Sequence, residues 1–219
     1  MSTKNKVFAA LFAMILTVGS LTGAGFWLGH FKYPPQSSAD PQSCFNTVFT
    51  PYADGTKTYL EWFTSHATPD SKIYIADYTF DNPQVVAKYK EAKEFGADLH
   101  VLLDLLESKA VKAEAPLIAE LKAANIEVVI GTSPVKHAIM HNKFTVIINP
   151  DGVWVEDGSY NYTPNADKQA NALNMNTCSS PLRGAAFTNT WMQLHEFMLQ
   201  QQTTREAKEA KDAQPTQQP

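Results

Sequence analysis

Residues 139–161 constrain the fold more than any other part of the chain. Ile139–Ile148 is an apolar run rich in β-branched residues, Asn149-Pro150-Asp151-Gly152 is turn chemistry, and Val153-Trp154-Val155 resumes the extended pattern. The pair predicts an antiparallel hairpin. Folding back about the turn brings residues near 141–143 alongside residues near 158–161. Period-two alternation sets His141 and Lys143 on one face, and likewise Ser159 and Asn161. The hairpin therefore predicts that a nucleophilic imidazole, an ammonium, a hydroxyl and an amide converge at one end. That set suits a phosphodiester: Lys143, Ser159 and Asn161 neutralise and orient the non-bridging oxygens while His141 attacks phosphorus. No metal or other cofactor is required by this scheme.

Spacing alone is weak, because a lone His-x-Lys is far more often a hydrogen-bonded interior residue than a nucleophile. The chain holds a second copy of that spacing, His30-Phe31-Lys32, which ends an apolar segment, precedes Pro34-Pro35 and has no following Gly-Ser-x-Asn. The combination of His141-Asn142-Lys143 with Gly158-Ser159-Tyr160-Asn161 resembles the phospholipase D superfamily, and most of all its short, single-motif bacterial nucleases. The resemblance runs over roughly residues 44 to 200. It implies Lys143, Gly158, Ser159 and Asn161 as the phosphate-binding set and a covalent phosphohistidine on His141. Three departures accompany it, one being a segment between Lys143 and Gly158 longer than the family spacing by about three residues, which a longer hairpin loop absorbs. Where the family carries Asp five residues after the motif lysine this chain has Ile148, and where the short nucleases have the Glu of Asn-Ala-Glu-Asn this chain has Leu173, in Asn171-Ala172-Leu173-Asn174. Glu156, Asp157 and Asp167 are the acids that could orient His141 instead.

Attack by one imidazole leaves the departing oxygen without a proton donor, since a single histidine cannot be nucleophile and acid in one step. With one motif copy, the resemblance implies a homodimer whose two-fold axis brings both His141 side chains together. His137, on the same strand parity, is the intramolecular alternative.

Segments of helical and strand character alternate through the rest. Helices are predicted at Gly55–His66, Asn82–Phe95, Pro116–Ala124 and Leu182–Gln200, and strands at Ile73–Tyr78, Leu99–Asp104, Ile126–Ile130 and Ala172–Thr177. Such alternation predicts an α/β fold with a mixed, mostly parallel sheet and helices on both faces.

The termini read differently. Lys4 and Lys6 precede the apolar run Val7–Val18 and then small residues, the order of a secretory signal, so residues 1–30 are expected to be a signal peptide. Because no formal charge appears between Val7 and Gly29, membrane attachment through residues 7–29 is the alternative. Residues 31–43 are read as a linker, 44–201 as the catalytic domain and 202–219 as a polar, disordered tail. Export, which the resemblance to the bacterial nucleases implies is to the periplasm, or anchoring that faces it, suits a disulfide between Cys44 and Cys178. Loss of Lys4 and Lys6 with the leader would take the formal net charge from −4 to −6, which excludes a basic nucleic-acid coat. Contact with DNA or RNA should then be local, through Lys136, Lys143, Lys168 and Arg183. Two further readings stand beside the nuclease: hydrolysis of a phospholipid, with Tyr78, Phe80, Leu105 and Leu106 lining a lipid groove, and a catalytically weakened nucleic-acid-binding module, suggested by Ile148 and Leu173.

Overall fold

The computed structural model describes residues 44–213. The expected signal peptide or anchor and the linker, residues 1–43, lie outside the described residues. Seven strands form one sheet: β1 (Phe45–Thr50), β2 (Lys72–Asp77), β3 (Asp98–Asp104), β4 (Glu127–Gly131), β5 (Phe144–Asn149), β6 (Gly152–Gly158) and β7 (Asn171–Asn176), in spatial order β1-β7-β6-β5-β2-β3-β4. The α/β class and the mixed sheet agree with the sequence reading. "Mostly parallel" describes strand direction, since only β5 and β7 run against the other five, but not pairing: β2–β3 and β3–β4 are parallel and the other four neighbouring pairs antiparallel. The reason is local. Among neighbouring strands, only β2, β3 and β4 are joined by helical crossovers, whereas β5 and β6 are joined by the tight Asn149–Gly152 turn that permits nothing but an antiparallel pair.

Helices α1 (Gly55–His66), α2 (Pro83–Glu94) and α4 (Glu114–Ala123) cover one face, and the 32-residue α5 (Pro181–Asp212) covers the other. Strand alternation divides the core accordingly: Ile73 and Ile75 pack with Tyr59, Phe63 and Tyr89, while Tyr74 and Ala76 face Trp191 and Met198. Local signals set the helix ends. Asp54 and Asn82 cap α1 and α2, Pro83 takes the first position of α2 where no N–H is needed, and Gly96 (φ +108°) and Asn125 (φ +58°) turn the chain out of α2 and α4 in the left-handed region.

Three elements differ from expectation. β1 alternates with only Val48 as a buried apolar residue, and α3 (Leu105–Ala110) buries none of its residues, so neither carries a hydrophobic period. The expected disordered tail is helical as far as Asp212, and the side chains that hold its beginning are specific. Gln202 Oε1 accepts from Ile130 N (2.8 Å), Gln201 Oε1 accepts from Thr132 N (2.9 Å), and Arg205 donates to Ile130 O (3.2 Å). β4 is an edge strand, and α5 supplies hydrogen-bond partners where a neighbouring strand would otherwise stand. Good helix formers from Arg205 to Lys211 carry the helix onward. At the opposite edge, Cys44 and Cys178 form a disulfide with Cα atoms 5.1 Å apart, closing 134 residues of sequence. Chain entropy makes such a closure worth about 5 kcal/mol. No helix among the described residues is long and apolar enough to cross a membrane.

Candidate active site

The polar residues singled out in the sequence gather where the sheet changes direction, between β2 and β5. Ligands of open α/β sheets bind outside the carboxyl ends of strands at such a switch. Gly158 N donates to Lys143 O (3.4 Å), which places the start of β5 beside the end of β6. Gly158 cannot be replaced without rearrangement, because a Cβ there would stand 2.0 Å from Ala172 O. The residues on either side of this contact are therefore brought together, though not by the predicted parity. β5 begins at Phe144, so His141 and Lys143 lie before the strand, in a segment that crosses the strand ends. Met140 N donates to Asp104 Oδ2 (2.8 Å) in place of a ladder partner, and the strand cannot start earlier.

His141 is exposed, and its ring packs at 4.5 Å from that of Tyr78. Lys143 is buried: its Nζ donates to His141 O (3.0 Å) and lies 4.9 Å from the centre of the Tyr78 ring. Ser159 accepts from Ala172 N at 3.0 Å, which leaves its O–H proton free to donate. Asn161 is half-buried, with Oδ1 shielded and unpartnered among the described residues.

Four residues that the sequence reading did not assign to the catalytic set complete the site. Asp77, the fully buried last residue of β2, accepts from Tyr78 N (2.9 Å) and from Tyr162 N (2.8 Å), next to Asn161, and its charge acts on Lys143. Asp104, the last residue of β3, caps α3 through Leu106 N and Glu107 N with one oxygen and holds Met140 N with the other. Glu107 accepts from Tyr78 Oη (2.7 Å) and Thr79 Oγ1 (3.3 Å), and the Tyr78 hydroxyl is pushed up to about 12, first by that hydrogen bond. Acids at the carboxyl ends of apolar strands, as in Ile73–Asp77 and Val101–Asp104, are the signal that could have found two of the four.

The three acids proposed to orient His141 do other work. Glu156 is buried against Tyr162 Oη, Asp157 pairs with Arg183, and Asp167 fixes the start of α1 through Gly55 N (2.7 Å) and Thr56 Oγ1 (2.6 Å). Leu173 is fully buried in the core, so its position supplies no acid. Neither ring nitrogen of His141 has a hydrogen-bond partner among the described residues. Partial burial and the Lys143 charge hold its pKa below the ordinary histidine value, against the upward pull of Asp104 and Glu107. The net effect favours the neutral imidazole. Burial likewise drives Asp77 up and Lys143 down, each countered by the other's charge. Of the residues suggested for a lipid groove, Phe80 is wholly in the core and Leu106 is exposed. Arg183, one of the suggested nucleic-acid contacts, is engaged with Asp157 and Asn176.

Residues 65–182 match the family described as "Cardiolipin synthase, PLD-like domain", a little over half of the chain, and the chain belongs to that family. It is similar in fold to Nuc from Salmonella typhimurium, a phospholipase D family member, with TM-score 0.58 and 22% identity over 68% of this chain and 91% of that one. NucT from Helicobacter pylori gives TM-score 0.54 and 19% identity, covering 68% and 95%. Polyphosphate kinase from Porphyromonas gingivalis gives 0.50 and 17%, covering 65% and 26%. No curated protein sequence matches the chain.

Proposed function

We propose that the protein is an exported, metal-independent endonuclease that cleaves DNA or RNA through a phosphohistidine intermediate, acting as a homodimer. The observation that carries this is the exposed imidazole of His141, with no ring hydrogen-bond partner among the described residues, standing beside the buried ammonium of Lys143. His141 attacks phosphorus, an N–P bond forms as the P–O bond breaks, and the leaving oxygen takes a proton from a second histidine. Water, deprotonated by that second histidine, then hydrolyses the N–P bond and frees His141. Lys143, Ser159 and Asn161 hold the non-bridging oxygens, and Lys143 supplies the positive charge that the transition state needs. The second histidine is His141 of another copy. His137, exposed in the same segment, is the intramolecular alternative.

Activity on plasmid and single-stranded DNA in excess chelator, with mass measured by light scattering, tests the reading. His141→Ala should lower the rate by at least about a thousandfold, and the active species should have twice the chain mass. Cleavage that survives the substitution, or that requires a divalent ion, overturns it.

A phospholipid substrate is the second reading. It is favoured by the description of the matched family and by the exposed apolar residues Leu106, Val135 and Ile139 on the segments next to His141. Hydrolysis of vesicles but not of DNA would select it. The missing family acids at Ile148 and Leu173 favour a weakened binding module, which would bind DNA without turnover and with equal affinity in His141→Ala.

A further inference from the structure

A groove of about 510 Å³ opens at the ends of β3 and β4, lined by Leu105, Thr132, Gln200, Thr204, Arg205 and Lys208 together with Gln201. It lies on the same end of the sheet as the candidate active site. Leu105 follows Asp104, whose carboxylate holds the residue before His141, and Thr132 follows Gly131, the register partner of Asp104. Two strand spacings, about 10 Å, separate β4 from β2, so the groove stands to one side of the ammonium at the end of β2.

Neither Arg205 nor Lys208 forms an ion pair among the described residues, and Arg205 spends one N–H on Ile130 O while retaining four others. The wall that carries them is fixed, because Gln201, Gln202 and Arg205 bind the backbone of β4 and Thr132. Between the groove and Lys143 the site is acidic, with Asp77, Asp104 and Glu107. A substrate with one phosphate at Lys143 gains nothing from cations this far away. A polynucleotide does, because a strand bound at Lys143 carries further phosphates along its backbone beyond the scissile one.

We infer that the Arg205–Lys208 groove on α5 is a phosphate subsite that holds a polynucleotide strand a few nucleotides from the scissile bond. The inference rests on the proposed phosphodiesterase reading and narrows its substrate to a polymer. Lys208 and Arg205 grip backbone phosphates, while Thr132, Gln200 and Thr204 offer neutral hydrogen bonds to sugars. Such contacts hold position without reading sequence.

The test uses the full-length, disulfide-intact chain with a fluorescein-labelled dT20 oligonucleotide and with bis(p-nitrophenyl) phosphate, which has one phosphate and cannot reach the groove. Lys208→Gln should raise KM for dT20 about three- to tenfold at low salt, leave kcat within twofold, and lower the slope of log KM against log salt by about 0.7. Lys208→Glu should do more, and neither should alter hydrolysis of the small diester. Anisotropy of dT20 on His141→Ala, with and without Lys208→Gln, reads the groove independently of turnover. If neither dT20 nor the small diester is hydrolysed but dT20 binding depends on Lys208, the enzyme reading fails and the groove stands. If hydrolysis is normal while KM, Kd and salt slope ignore Lys208, the groove is overturned. Anionic vesicles whose hydrolysis falls with Lys208→Gln, with dT20 unaffected, overturn it in favour of a lipid surface.

Discussion

The two halves of the sheet contribute opposite chemistry to one site. The parallel half, β2 to β4, brings carboxylates: Asp77 ends β2, Asp104 ends β3 and Glu107 follows on α3. The antiparallel half brings the donors, with Lys143 before β5 and Ser159 and Asn161 after β6. The donors come from one hairpin and are local in sequence. The acids come from crossover-linked strands and meet them only in the folded chain. The halves also bury charge differently. Asp77 is shielded beside a cation and two backbone donors, so its burial serves the neighbouring loop. Glu156, on β6, is buried with a tyrosine hydroxyl as its hydrogen-bond partner, the charges of Asp157 and Arg183 acting on it in opposite senses, and Oε1 unpartnered among the described residues. A carboxylate that fastens two elements should be costly to change, and one that fastens none should be cheap or favourable.

The sharpest break of this contrast is Asp77→Asn. The amide cannot accept from both Tyr78 N and Tyr162 N while facing Lys143, so one donor and one ammonium lose their partner. Removing one member of a buried charged pair costs about 3 kcal/mol or more. Because Tyr162 adjoins Asn161, displacement should also reduce kcat, by about tenfold to a hundredfold. Urea unfolding together with single-turnover rates measures both. Stability within 1 kcal/mol of wild type would mean that Asp77 does not join the halves.

Much of this could be read beforehand on the donor side and little on the acid side, for a physical reason. Asn149–Gly152 fixes a turn, a turn fixes a register, and the register brings Lys143 to Gly158; each step is local. Asp77 and Asp104 sit in runs whose apolar character announces a strand, and only the neighbours across the sheet decide whether their carboxylates meet solvent, a helix start or an ammonium. The family departures misled in the same way. Leu173 in place of an acid suggested that a nearby carboxylate, Glu156, Asp157 or Asp167, would orient His141, yet each is committed to Tyr162, Arg183 or the start of α1. The charges that act on His141 are those of Lys143, Asp104 and Glu107. The continuation of α5 to Asp212 was hidden because its polar sequence shows no apolar stripe, and what anchors it is a set of side chain to backbone bonds along β4.

Glu156→Gln tests the other side of the contrast, with an effect of opposite sign. Burial pushes the Glu156 carboxyl up to about 8, from 4.5 in the unfolded chain. Between those values the folded protein binds a proton that the unfolded chain has released, so stability falls as pH rises from about 4.5 to about 8 and then levels off. Glutamine keeps an acceptor for Tyr162 and removes the titration. The variant should match wild type near pH 4.5 and exceed it by about 4 kcal/mol at pH 8 to 9, with kcat changed less than threefold. Thermal melts across that range decide it. A variant less stable than wild type at pH 8 would show that Glu156 is charged and needed, and the two halves would no longer differ.

The smallest effect concerns the carboxylate that stands nearest to solvent. Glu107 raises the His141 pKa while burial and Lys143 lower it, so Glu107→Gln removes one of the two upward influences and leaves the downward ones in place. If His141 is the nucleophile, kcat/KM falls as the imidazole protonates, and the acid limb of the pH profile should move to lower pH in the variant. The displacement should shrink with added salt, because the imidazole is exposed and a Debye length at 0.1 M is about 10 Å. Loss of the Tyr78 and Thr79 contacts would lower the plateau as well, so position along the pH axis is the quantity that matters, with NMR titration of the His141 ring as an independent reading. A limb that moves upward would mean that Glu107 acts on a different group, and that the acids of the parallel half do not tune the nucleophile.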